Sequence, residues 1–217
     1  MKAVIISGSE RRNGVTAYVS ELIQDKLYEK NVHVSVIYLC DQKISACDGC
    51  GGDNGCNYRQ SPCEKYDDMP HIIKMMCESD IIIYTCPVHA FGISHLMQIF
   101  LERAGVGYLR FDRPLVNKIG GCVIVGRKYS LGSAHDQIIN NMLLNRMIIP
   151  GAGFPVLIHG CEKTKGITDI EESVALEQMV DRLVEIRSSV NVNALNFNHP
   201  NERKLKEIME KDSERVN

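Results

Sequence analysis

The sequence predicts an α/β domain built on a doubly wound parallel sheet of five strands. Three observations carry that prediction. Short runs rich in β-branched residues recur at 2–7, 33–39, 80–85, 120–126 and 154–159. Segments with helical spacing of apolar residues separate or follow them, at about 15–30, 67–79, 94–104, 133–146 and 168–188. The chain, at 217 residues, is long enough for one large domain with a full core. Strict alternation of strand and helix gives a parallel sheet, and right-handed crossovers cover both its faces.

The first strand, Ala3-Val4-Ile5-Ile6, is uninterrupted and apolar, as in a strand buried on both faces. A polar turn follows, and then a helix with Val15, Val19, Leu22, Ile23 and Leu27 on one face. The first N–H groups of such a helix have no internal partner and carry roughly half a positive charge. Ser9 and Thr16 add hydroxyls, Arg11 and Arg12 add cations, and Gly14 lets the backbone come close. These are the parts of a phosphate cradle. The nucleotide P-loop is excluded because Val15 stands where its lysine would be. The dinucleotide fingerprint is excluded because Ser9, not glycine, follows Gly8. Hydroxyls and arginines without a lysine suit a terminal monophosphate. The competing reading is an ordinary strand–helix connection with exposed arginines.

The second strand leads into a long loop, 40–65, that holds Cys47, Cys50, Cys56 and Cys63. Asp67 and Asp68 mark the start of the next helix, with Pro70 in its first turn. The third strand opens into Pro87-Val88-His89-Ala90-Phe91-Gly92-Ile93, and the fourth into Arg127-Lys128-Tyr129-Ser130-Leu131-Gly132. Thr168 and Glu171 have capping-box spacing before the last main helix. All four unusual loops follow strands, so they share the carboxyl edge of the sheet, where ligands of open α/β folds bind. The main domain is expected to span 1–190. The remainder, 191–217, reads as a linker and a short polar helix whose apolar stripe is Leu205, Ile208 and Met209.

Composition narrows the function. A net charge of -2 gives no support to a nucleic-acid or anionic-membrane role. No apolar run approaches the ~20 residues of a membrane span. The N-terminal stretch turns polar too soon for a signal peptide. Nine cysteines without such a leader point to a cytoplasmic, reducing setting and to metal or redox chemistry.

Four landmarks, in order, carry a resemblance. They are Gly8-Ser9-x-Arg11-x-Asn13-Gly14-x-Thr16, Asp67-Asp68-Met69, Cys86-Pro87-Val88-His89, and Ser94 with Phe100-Leu101-Glu102-Arg103. Together they resemble the NADPH-dependent FMN reductase and iron–sulfur flavoprotein branch of the flavodoxin-like superfamily, over 1–187. The resemblance implies strand order 2-1-3-4-5 with FMN at the strand edge. It places the phosphate on Ser9, Arg11, Asn13, Gly14, Val15 and Thr16. It lays the isoalloxazine against Pro87, Val88, His89, Ala90 and Phe91, with Gly126, Arg127 and Lys128 closing the other side. Two positions depart from the family's habit. His89 stands where tyrosine is usual, and Gln98 where lysine is frequent. His89 is the candidate catalytic residue, as a proton donor or a stacking ring; a solvent-facing structural histidine competes with that role.

The resembling iron–sulfur flavoproteins carry a compact four-cysteine motif in the loop after the second strand. In this chain the third cysteine comes later: Asp53 holds its usual place and Cys56 follows. Three readings stay open for Cys47, Cys50, Cys56 and Cys63. They are one [4Fe-4S] cluster, a zinc site, and free or redox-active thiols.

The expected activity is FMN-dependent oxidoreduction. Electrons pass from NAD(P)H or another reduced carrier to a small-molecule acceptor, through the cluster if one is present. A flavodoxin-type carrier with a redox protein partner such as ferredoxin is the second expectation, and a non-redox binding module the third. The resemblance also implies a homo-oligomer, dimer or tetramer. Removing residues from Asn191 onward is then expected to lower the mass seen by light scattering.

Overall fold

A computed structural model describes residues 1–50, 63, 65–104, 114–160, 166–195, 207–208 and 211. Its sheet is assembled from β1 (Lys2–Ser7), β2 (His33–Tyr38), β3 (Ile81–His89), β4 (Gly92–Ile93), β5 (Ile119–Gly126) and β6 (Val156–His159). The order is β2-β1-β3-β5-β6, all parallel, with the two-residue β4 antiparallel to the end of β3. The five main strands therefore follow the expected order 2-1-3-4-5. Helices α1 (Val15–Glu29), α2 (Met69–Glu78), α3 (His95–Ala104), α4 (Leu131–Leu144) and α5 (Ile170–Ser189) flank it.

Side-chain alternation explains why helices sit on both faces. Val4 and Ile6 of β1, Tyr84 and Cys86 of β3 and Ile124 of β5 turn one way, into a core shared with Met76 of α2, Phe100 of α3 and Ile138 of α4. Ala3 and Ile5, Ile81 and Ile83, and Val123 and Val125 turn the other way, onto Val19 and Ile23 of α1 and Leu176 and Leu183 of α5. Both faces are dry, which is why the strands read as continuous apolar runs rather than alternating ones.

Three local readings are corrected. The third strand does not stop at residue 85. Cys86 and Pro87 stay paired with Ile124 and Val125 of β5, and Val88 and His89 turn back onto β4. Pro87 is tolerated because pairing with β1 ends at Thr85, leaving one side of the strand without a ladder partner. The segment 87–93 is thus a hairpin rather than an open loop. The last main helix starts one residue later than the capping-box reading has it. Asp169, not Thr168, is the cap, and its carboxylate accepts from the N–H groups of Glu171 and Glu172. The fourth helix begins at Leu131 instead of 133.

Asp67 and Asp68 do more than start α2. Asp68 accepts from Lys43 N at 2.7 Å, and Asp67 accepts from Ser45 N and Met69 N at 3.0 and 3.1 Å. Asp67 is also paired with Arg103 of α3, and both side chains are almost fully buried. This pair ties the chain leaving β2 to two helices. Among the described residues no helix is long and apolar enough to cross a membrane. The C-terminal stripe lies mostly outside the described residues; Ile208, within them, is exposed.

Candidate functional site

The turn after β1 is built by close approach. Gly8 N donates to Thr85 O at 2.8 Å, and Ser94 Oγ donates to Gly8 O at 2.6 Å. A Cβ on Gly8 would stand 2.9 Å from Met97 Cβ, so only glycine lets the turn sit on the start of α3. The hydroxyl of Ser9 donates to Arg11 O at 2.8 Å and accepts from Arg11 N at 3.2 Å, which folds the loop on itself. Ser9 therefore shapes the turn and has already spent its hydroxyl proton. Beneath the turn, Ser20 Oγ donates to Thr16 O and meets Thr85 Oγ1 at 2.7 Å, pinning α1 to β3.

Above these contacts lies a cavity of about 1000 Å³ at the carboxyl edge of the sheet. Its walls include Ser9, Arg11, Asn13, Gly14, Val15 and Thr16 from the first turn and helix. Pro87, Val88 and His89 of β3 form a second wall, and Gly126 and Arg127 after β5 a third. Three expected residues stand elsewhere. Ala90 faces a second, smaller cavity. Phe91 is 72% exposed at the hairpin tip, its ring 6.4 Å from that of Tyr129. Lys128 is exposed, with its ammonium over the Tyr129 ring. Arg12 turns from the turn to Asp41, 3.0 Å away, and lies over the ring of Tyr38.

The cavity also contains residues that sequence patterns did not single out: Glu10, Tyr18, Val125, Gly160 and Gly166. Gly160 is there because a Cβ would meet Val15 at 2.8 Å, and its N–H donates to Gly126 O. The end of β6 just before it is fixed by Glu172, which accepts from His159 N and contacts its Nδ1 at 2.6 Å. Such cross-chain neighbours leave no local signal. Glu10 was the exception, since an acid inside an otherwise cationic turn is visible in the sequence.

The start of α1 suits an anion. Among the described residues no side chain caps it, and no acid lies in its first turn, unlike α5, which has Asp169 as cap and Glu171 and Glu172 behind it. A Cβ on Gly14, the residue before α1, would meet no atom of the described residues within 4 Å, which leaves space beside it for a ligand. Uncapped N–H groups, an arginine and an open glycine together fit a terminal phosphate.

Of the four loop cysteines, Cys47 and Cys50 are exposed free thiols, Cys63 is half-buried beside Arg103, and Cys56 lies outside the described residues. Among the described residues no group of three or more His, Cys, Asp or Glu is placed to hold a metal ion.

Comparison with known proteins adds family and fold. The family model of NADPH-dependent FMN reductase matches residues 1–160. An iron–sulfur flavoprotein of Methanocaldococcus jannaschii is 33% identical over 162 residues, covering 74% of this chain and 81% of its own. Among solved structures, RosB with a bound 8-demethyl-8-formylriboflavin-5'-phosphate intermediate has a TM-score of 0.65 at 15% identity, covering 92% of this chain and 93% of its own. A flavodoxin of Streptococcus pneumonia has a TM-score of 0.53 at 18% identity, covering 85% and 99%. At these identities the two structures establish a flavodoxin-like fold.

Proposed function

The chain belongs to the NADPH-dependent FMN reductase family, and from that premise we propose that it is an FMN-dependent oxidoreductase moving electrons from NAD(P)H or another reduced carrier to a small-molecule acceptor. The observation that carries this reading is the uncapped, acid-free start of α1 at one end of a cavity large enough for a mononucleotide. Arg11, Asn13, Thr16 and the first N–H groups of α1 would hold the phosphate. Pro87, Val88 and His89 would back the ring on one side, with Gly126 and Arg127 on the other. FMN supplies the hydride and single-electron chemistry when bound. The chain's own residues bind it, orient it and wall it from water.

The test is a titration of cofactor-free protein with FMN, followed by NADH and NADPH oxidation with a quinone as acceptor. Stoichiometric binding and turnover support the reading. A protein that stays empty in excess FMN overturns it.

A second reading has its own support. The relative from Methanocaldococcus jannaschii is named an iron–sulfur flavoprotein, and this chain has four cysteines after β2. We propose that Cys47, Cys50, Cys56 and Cys63 take one [4Fe-4S] cluster, soft thiolates being the ligands iron–sulfur centres use. The described thiols do not converge on a metal position. Iron and sulfide counted on anaerobically purified protein decide it: about four of each per chain supports a cluster, and neither overturns it. Fast exchange with ferredoxin without nicotinamide turnover would make the protein a carrier.

A further inference from the structure

A carboxylate sits between two imidazoles at the edge of the main cavity. Glu10 Oε1 lies 3.2 Å from His89 Nδ1 and 3.1 Å from His95 Nδ1. The three residues come from three elements: the turn after β1, the end of β3 and the first turn of α3. The oxygen is shut off from solvent, yet neither ring is aligned well enough to give it a hydrogen bond. It is within reach of both rings and committed to neither. A buried carboxylate oxygen in that position is costly unless a proton or cation answers it.

The rings also connect two spaces. His89 lines the main cavity and a second one of about 370 Å³ that the hairpin also lines. His95 lines the second cavity, together with the uncharged Gln98 and Gln137. Gln98 Nε2 donates to Glu102 and Gln137 Oε1 accepts from Ile93 N, so both carboxamides are oriented. Cys86, below Glu10 in β3, brings no competing charge: burial, with a smaller push from Glu10, drives its thiol up to about 12.

We propose that Glu10, His89 and His95 form a proton-holding unit at the junction of the two cavities, with Glu10 and His95 as positioning residues and His89 as the group that faces the cofactor. This rests on the reading that the main cavity takes FMN. A small rotation of each ring brings its Nδ1–H onto Glu10 Oε1, which fixes the tautomer and leaves Nε2 on the far side of each ring. A proton given to the main cavity leaves Nε2 of the doubly protonated His89 ring; the ring left behind is neutral with its proton on Nδ1, and Nε2 is refilled from solvent. The proton count closes, and no proton has to pass through Glu10. It adds to the negative charge of the unit whichever ring holds the proton, which keeps the proton near the site.

The test uses the full chain with and without FMN. In the cofactor-free protein, ring ¹⁵N spectra are expected to show His89 and His95 protonated at Nδ1 when neutral. Glu10→Met removes both oxygens and is expected to return the rings to the Nε2–H form. In the FMN-loaded protein it should slow flavin reduction by about a hundredfold, the lower end of acid–base assistance. The solvent isotope effect on that step should be lost. Glu10→Asp should restore part of the rate. If Glu10→Met does not fold, Glu10→Ala, which also removes both oxygens, gives the same readout. Rings found at Nε2–H in the wild type overturn the unit, as does a variant whose reduction rate and isotope effect match wild type. If no FMN binds, the functional reading fails and the spectra of the cofactor-free protein alone decide the unit.

Discussion

Single residues decide whether the cavity fits an anion. Gly14 has φ -92°, a conformation any residue adopts, and its missing Cβ faces open space. Gly14→Ala is therefore expected to leave thermal stability within about 0.5 kcal/mol of wild type. The new methyl group would stand where the phosphate is proposed to sit, so FMN affinity measured by fluorescence titration should fall roughly tenfold, about 1.4 kcal/mol. Unchanged affinity would move the phosphate elsewhere. Tyr84 shows the reverse case. It is fully buried, its ring edge-on to Phe100 at 5.7 Å, and its hydroxyl has no partner among the described residues. Burial also pushes its phenol well above the ordinary range. Tyr84→Phe removes an unsatisfied hydroxyl without opening a cavity, and should raise unfolding free energy by about 1 kcal/mol in a denaturant titration.

Among the elements, the β3–β4 hairpin carries local strain. Val88 pairs with Ile93 and His89 with Gly92, so the turn is two residues long, Ala90 and Phe91. Both have positive φ, 47° and 67°, the requirement of a tight hairpin turn that glycine and asparagine normally fill. A left-handed non-glycine residue costs roughly 1–2 kcal/mol. Phe91 is mostly exposed, so its side chain recovers little of that by burial. Phe91→Gly is expected to raise the melting temperature by a few degrees, for roughly 1 kcal/mol of relief. A lower melting temperature would mean that the ring contact with Tyr129 outweighs the strain. Strain of this kind collects where a chain must hold side chains for function, and this turn presents His89 to two cavities.

Across the whole molecule, several ion pairs among the described residues join distant parts of the chain, and in two of them both side chains are mostly buried. Asp67 pairs with Arg103, and Asp80 accepts from Arg187 at 2.7 Å and from Lys2 N at 2.9 Å. Burial pushes both carboxyls up, but their arginines and backbone N–H groups outweigh it, and both end below the ordinary range. A depressed carboxyl stabilises the fold above its unfolded pKa, about 4, and loses that contribution as pH falls through the folded value. The contribution of these two carboxyls should therefore be flat from neutral pH to about 5 and fall steeply below about 4. Asp67→Asn leaves Arg103 buried without its countercharge and should cost about 3–5 kcal/mol at pH 7. It should also flatten the acid limb, which thermal melts across pH would show.

Local pattern alone determined the order of elements, the apolar strands, the turn after β1 and the edge at which the unusual loops gather, because periodicity and turn chemistry are short-range properties of the chain. Ser9, Arg11, Asn13, Gly14 and Thr16 were legible for that reason. The tertiary structure decided what neighbours across the sheet contribute: Gly160 against Val15, Arg12 drawn off to Asp41, β3 running on through Pro87 because β1 has ended. It also brought Glu10 between His89 and His95. Those contacts join residues tens of positions apart, and their energies come from packing and buried charge, which exist only once the chain has closed on itself.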